Sequence, residues 1–393
     1  MGDLNPPGQQ KTRMPVLLIL LFVTTLFLAY SNGANDNFKG VATLYGSNTT
    51  SFKTALWIGT LATLAGCISS VFLAEALVKA FSGRGLVPNS VSMMPEFMLA
   101  VASGAAFTVM LATVIGIPIS TTHALTGALV GSGFVGAGSA LNLSALGSTF
   151  ILPLLLSPMI SVLLTMPLYK LAHTLVERGG IAKETCVCIG PSQFVPVSGL
   201  AFDAGSGAYQ QAATVPGLDV TIGTTKDCVQ KYSGAFFGLS AQSMVDGLHY
   251  LSAVAVSFAR GLNDTPKIVG LLLVVQALDI RFGMLAIAIA MAIGGLLNAR
   301  KVAETMAKKI SKMNDGQALT ANLVTAFMVL FASKLGVPVS TTHVSVGAIS
   351  GIGIINGTAD RSVIGGILLS WVLTLPIAAA IAGLTYMVLQ RIL

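Results

Sequence analysis

The chain states two polar phrases twice, and this duplication limits its possible folds more than any other feature. Gly116-Ile117-Pro118-Ile119-Ser120-Thr121-Thr122-His123 returns as Gly336-Val337-Pro338-Val339-Ser340-Thr341-Thr342-His343. Ser31-Asn32-Gly33-Ala34-Asn35-Asp36-Asn37-Phe38-Lys39-Gly40 is echoed by Ala259-Arg260-Gly261-Leu262-Asn263-Asp264-Thr265-Pro266-Lys267-Ile268. Both pairs come in the same order at nearly the same spacing, which is the mark of an internal repeat. Each phrase is polar and contains helix breakers, yet each is set in apolar sequence. Interrupted apolar segments at matching positions of two halves mark the binding region of a membrane protein.

Composition supplies the membrane. The chain is 54% hydrophobic and only 9% charged, with a mean hydropathy of +0.81, against about 25% charged residues in a soluble domain. Its 393 residues suit roughly ten segments of about 20 residues each. The 42 glycines point to closely packed helices, because small residues let backbones approach in lipid. The net charge of +7 does not imply nucleic acid. Much of it sits in one loop with Arg300, Lys301, Lys308, Lys309 and Lys312, which reads as cytoplasmic by the positive-inside rule. The apolar start after Lys11 and Arg13 is not read as a signal peptide. No small-residue cleavage site follows, and the first Asn-Asp phrase begins where cleavage would fall.

The expected fold is an all-α polytopic membrane protein of two homologous repeats, with broken helices, re-entrant half-helices and 10–12 membrane segments. A polar tail, 1–13, precedes the first transmembrane repeat, 14–177. A polar, Gly-rich central segment, 178–240, carries alternating patches such as Val220-Thr221-Ile222-Gly223-Thr224 that suggest small strands. The second transmembrane repeat is 241–393. Gly33, Pro118, Gly261, Pro266 and Pro338 are the expected breaks. Cys186, Cys188 and Cys228 lie in the central segment and Cys67 in an apolar helix. A disulfide and inert thiols are both open for the central three. Sidedness of the termini and of 178–240 is open too.

The Asn-Asp phrases carry the costliest chemistry. An aspartate at mid-membrane costs about 2.5–3.5 kcal/mol on insertion scales, and here it occurs twice, at Asp36 and Asp264. Carboxylate, amide oxygen and carbonyls freed at a helix break are the hard oxygens that Na⁺ requires; the same carboxylates could carry a proton. The alternative for either copy is a helix-end aspartate paired with a lysine. Asn32, Asp36 and Asp264 are thus the candidate cation-coupling residues. In the other phrase, Pro118 and Pro338 stop one helix and the Ser/Thr residues cap the next. The result is a helix N-terminus in mid-membrane, with partial positive charge and free N–H donors for an anion. The candidate substrate set is Asn35, Lys39, Ser120, Thr121, Thr122, Asn263, Lys267, Ser340, Thr341 and Thr342. Against this, membrane Ser and Thr often bond back to their own helix. His123 and His343 are expected to hold the turn by hydrogen bonds. Lys39 and Lys267 each follow their aspartate by three residues, which places both side chains on one helix face. Each could neutralise the acid, bind the anion, or do both. Glu75 and Glu304 match across the repeats and are candidates for gating or coupling, or for helix ends facing water.

The paired Gly-x-Asn-Asp and Pro-x-Ser-Thr-Thr-His phrases resemble the inorganic phosphate transporter (PiT) family. The resemblance covers about 14–175 and 242–390 but not the central segment. It implies an inverted-repeat helical fold and cation-coupled uptake of phosphate, by Na⁺ in some members and H⁺ in others, with sulfate moved by some bacterial members. It puts the family's functional aspartates on Asp36 and Asp264. The chain departs from the family phrase in having lysine at 39 and 267, where an Asn usually stands, and Arg260 where a His is frequent. The expected function is phosphate import across the cell membrane, with Na⁺ or H⁺ as coupling ion, no cofactor, and phosphate and membrane lipid as partners. Sulfate is the alternative. A homodimer is an expectation on which the residues are silent. A channel would favour continuous pore helices over two broken sites, and no nucleophile–base pair, metal ligand set or nucleotide loop suggests an enzyme.

Overall fold

The computed structural model describes residues 7–73, 75–191, 218–224, 226–228, 237–275 and 278–392. Long helices dominate them. The first half has α1 (Pro7–Asp36), α2 (Phe52–Leu73), α3 (Pro95–Ile115), α4 (Thr121–Ala137) and α5 (Leu152–Arg178). The second has α6 (Ala241–Val269), α7 (Ile280–Asn298), α8 (Asp315–Lys334), α9 (Thr341–Asn356) and α10 (Arg361–Ile392). The duplicated sequence thus gives a duplicated order. In each half a helix bearing Asn-Asp comes first, and a helix opened by Ser-Thr-Thr-His comes fourth.

Among the described residues, seven helical stretches are long and apolar enough to cross a membrane, and the chain is a helical membrane protein. The Ser-Thr-Thr-His helices are not among them. With 17 and 16 residues, α4 and α9 reach only about 25 Å at 1.5 Å per residue, short of a hydrocarbon core about 30 Å thick. They are short helices, as the sequence after Pro118 and Pro338 predicts.

The halves interlock. Helix α1 packs on α3 of its own half and on α7 of the other, and α10 packs on α3 and α4 of the first half. Glycines make these crossings close. A Cβ on Gly33 of α1 would overlap the Met291 carbonyl of α7, and one on Gly261 of α6 would overlap the Thr63 carbonyl of α2. The same holds for Gly131 of α4 against Ala379 of α10. Small residues at such contacts drive helix association where lipid is as apolar as leucine.

This packing corrects three expected breaks. Gly33, Gly261 and Pro266 all lie inside helices. The two glycines serve close approach rather than chain reversal. Pro266 is absorbed in the last turn of α6, which then tightens into a 3₁₀ segment, Gly270–Val274; membrane helices tolerate proline where neighbours re-satisfy the freed backbone groups. The polar stretch before Met14 also differs from a plain tail, since α1 begins at Pro7.

Two compact units divide the chain: Met1–Lys170 with His249–Leu393, and Leu171–Leu248. The first contains both copies of each duplicated phrase. The second carries a three-stranded antiparallel sheet in the order β2-β1-β3, with β1 Thr185–Pro191, β2 Leu218–Thr224 and β3 Phe237–Ser240. Cys188 and Cys228 form a disulfide, while Cys186 and Cys67 are free and buried.

Candidate substrate and ion site

The site starts from two chain reversals. Helix α3 ends on Gly116 and α8 is followed by Gly336, with φ of +87° and +69°, the left-handed region that glycine enters at no steric cost. Pro118 and Pro338 then keep the chain extended until Ser120 and Ser340. Each serine Oγ accepts the backbone N–H three residues on, from His123 at 3.1 Å and His343 at 3.2 Å. This is the N-cap geometry that opens α4 and α9. Ser120 and Ser340 thus accept the caps of their own helices, and the O–H of each hydroxyl is a further donor. The His343 ring hydrogen-bonds too, with Nδ1 lying 3.1 Å from the Leu154 carbonyl oxygen. The turn is held by the serine oxygens, and the two rings pack edge to face at 4.3 Å. The His343 ring also lies 3.8 Å from Trp371.

Asp36 and Asp264 meet at one amide. Asn32 Nδ2 lies 3.2 Å from Asp36 Oδ2, 3.2 Å from Asp264 Oδ2 and 2.9 Å from Thr121 Oγ1. Residues 228 apart in the chain are therefore neighbours, and the duplicated acids form one site rather than two. Thr121 Oγ1 also donates to Asp36 Oδ2 at 3.4 Å, and Asn263 Nδ2 reaches Thr341 Oγ1 at 3.3 Å. Asn35 and Asn263 brace the reversals: Asn35 Oδ1 accepts the Ile119 N–H at 3.1 Å, and Asn263 Nδ2 donates to the Val339 carbonyl at 3.2 Å.

The lysines cross between repeats. Lys39 Nζ donates to Asp36 Oδ1, to Asn35 Oδ1 at 3.1 Å, to the Ile119 carbonyl at 2.8 Å and to Thr342 Oγ1 of the other half. Lys267 Nζ donates to the Val339 carbonyl at 2.7 Å, to Thr122 Oγ1 of the other half at 2.8 Å and to Asp264 Oδ1 at 3.4 Å. Every one of these side chains is buried.

Arg260 is the site residue that sequence reasoning missed. Fully buried, it donates from Nη2 to Asn32 Oδ1 at 2.7 Å and from Nη1 to Asn37 Oδ1 at 3.2 Å. Its Nε lies 3.8 Å from Asp264 Oδ2. The signal was present: Arg260 stands one helical turn before Asp264, on the same face, at the repeat position of Asn32.

Glu304 lies apart from this cluster. It pairs with Arg300 at 3.3 Å, both side chains exposed, and with Arg300, Lys301 and Thr113 it lines a cavity of about 440 Å³. Thr113 accepts from Asn35 at 3.0 Å, so one lining residue of the cavity contacts the residue that braces the first reversal. The side chain of Glu75 lies outside the described residues.

Residues 32–382 match the model of the phosphate transporter family. The chain belongs to that family. Relatives include a Pyrococcus abyssi protein whose name contains the words phosphate permease, 26% identical over 404 positions that cover 95% of this chain and 98% of that one. A Bacillus subtilis relative, named a probable low-affinity inorganic phosphate transporter, is 25% identical over 386 positions, covering 96% and 98%. Among solved structures, one titled "The sodium-dependent phosphate transporter" aligns with a TM-score of 0.74 at 22% identity, covering 96% of this chain and all of that one. The fold of this family member is thus that of a known transporter.

Proposed function

We propose that the protein is a secondary transporter that imports inorganic phosphate across the cell membrane, driven by a coupled cation. The observation that carries this reading is the single buried cluster in which Asp36 and Asp264 meet two capped helix starts and their threonines. N–H groups at the starts of α4 and α9 have no partner within their own helices and favour an anion. Thr121, Thr122, Thr341 and Thr342 add hydroxyls of the kind that bond phosphate oxygens. Asp36 and Asp264 are the coupling carboxylates, the positions where Na⁺ or H⁺ would bind. Two carboxylates and an oxyanion need compensating positive charge in a low-dielectric site. Phosphate in the names of the relatives supports the choice of anion, and sodium in the solved transporter's title supports a cation. Alternating access would come from the repeats rocking around the fixed site, in inverted orientation. Arg300, Lys301 and Glu304 would form the mouth of a vestibule. The disulfide favours an oxidising, non-cytoplasmic location for the 171–248 unit.

The test is uptake of radiolabelled phosphate into proteoliposomes under a Na⁺ gradient, a pH gradient, or neither, with sulfate as competitor. Gradient-driven accumulation of phosphate is expected. No accumulation under any gradient would remove the reading.

A further inference from the structure

We propose that Lys39 and Lys267 are tethered cations that fill two sodium-type oxygen cages, so that the protein carries a singly charged tetrahedral oxyanion without binding sodium. The proposal rests on the phosphate-transport reading above. Around Lys39 Nζ stand a carboxylate oxygen of Asp36, the amide oxygen of Asn35, the main-chain oxygen of Ile119 and the hydroxyl of Thr342. Carboxylate, amide, freed carbonyl and hydroxyl make up the hard-oxygen set that a small cation takes at a broken helix. Lys267 Nζ has three of the same four kinds of partner, related by the repeat: Asp264 at 3.4 Å, the Val339 carbonyl at 2.7 Å and Thr122 at 2.8 Å. An ammonium and a metal ion cannot share these oxygens. Both lysines are at most 1% exposed, so neither has bulk water as an alternative partner. A buried ammonium is kept only where such partners are fixed.

The charge balance points the same way. Asp36 and Asp264 face Lys39, Lys267 and Arg260, which leaves one net positive charge before any ligand binds. A monoanion such as dihydrogen phosphate brings the cluster to neutrality. Sodium alone would raise the excess positive charge and a dianion such as sulfate alone would leave excess negative charge, both penalised in a low-dielectric site. A dianion with sodium would balance, but the lysines already hold the oxygens that sodium needs. Arg260 Nε adds a donor for the oxyanion: it is buried, 3.8 Å from Asp264 Oδ2, and has no hydrogen-bond partner among the described residues. Dihydrogen phosphate carries one proton more than hydrogen phosphate. Moved alone, it brings one proton and one net negative charge with each phosphate, so a pH difference, alkaline inside, drives accumulation with no separate cation.

The experiment uses the full chain in proteoliposomes, with radiolabelled phosphate outside in sodium chloride or in choline chloride at equal ionic strength, with and without excess sulfate. Wild-type uptake is expected to agree within twofold in the two salts and to be inhibited less than twofold by sulfate. Lys39→Asn and Lys267→Asn are expected to lose uptake in choline and to regain part of it in sodium. A wild-type rate that falls tenfold or more in choline overturns the proposal and leaves phosphate transport standing; no uptake in either salt overturns both. Asn variants with wild-type uptake in both salts also overturn it. Should the variants fail to fold, the melting temperature of the wild type in detergent decides. Sodium in place of choline is expected to leave it unchanged, and a sodium-specific rise overturns the proposal.

Discussion

Asp36 and Lys39 form a buried ion pair. Replacing Asp36 by Asn leaves the Lys39 ammonium buried without its acid, and breaking a buried pair from one side costs about 3–5 kcal/mol. Asp36→Asn should therefore lose phosphate uptake and also melt at a lower temperature. Adding Lys39→Met should restore most of the melting temperature and none of the transport. Thermal melts in detergent with uptake in proteoliposomes separate the two effects, and wild-type uptake by Asp36→Asn would take this acid out of the mechanism. The threonines that cross between repeats allow a milder change. Thr122→Val and Thr342→Val keep shape and delete one hydroxyl. An oxygen or ammonium left without that partner costs about 1–3 kcal/mol, equivalent to an apparent phosphate affinity about ten- to a hundredfold weaker. Unchanged affinity in both variants would make these hydroxyls packing groups.

Helices α4 and α9 are short, capped and pressed against long neighbours, so their positions depend on backbone contact. Gly131 of α4 meets the Ala379 carbonyl of α10, whereas Gly365 of α10 has open space around it. Gly131→Ala should cost about 1–3 kcal/mol through overpacking. Gly365→Ala should be neutral or stabilising, since glycine inside a helix costs roughly 0.5–1 kcal/mol relative to alanine. Melting temperatures of the two purified variants test the contrast, and equal melting would mean that α4 and α10 do not meet at Gly131. Ser120→Ala removes the cap on His123 N–H and should cost about 0.5–2 kcal/mol at the one helix start that must stay fixed beside Asn32.

For the chain as a whole, each half completes the other. The ammonium of Lys39 ends on Thr342 and that of Lys267 on Thr122, so the site exists only when both repeats are present. The 171–248 unit is built on different principles, with a small sheet and the Cys188–Cys228 disulfide. If that unit faces an oxidising compartment, a membrane-impermeant reductant applied to intact cells should free two thiols there for an impermeant maleimide. Labelling that appears only after permeabilisation would place the unit on the cytoplasmic side.

The sequence by itself determined the membrane class, the repeat and the residue types of the site. Charge scarcity leaves no other class open, and two polar phrases recur in order where apolar chain surrounds them. It also determined the two short helices, because proline, serine and a short apolar run after them fix where α4 and α9 begin and how far they reach. Local pattern misled at Gly33 and Gly261, since a glycine that permits a bend and one that permits a close neighbour look alike until the neighbour, Met291 or Thr63, is known. Tertiary structure alone decided that the two Asn-Asp phrases share one amide, Asn32. It alone turned Lys39 and Lys267 onto hydroxyls of the opposite repeat and brought Arg260 into the cluster. Helical periodicity relates residues three or four positions apart on one helix; which faces of two distant helices meet is set by packing across the whole membrane unit.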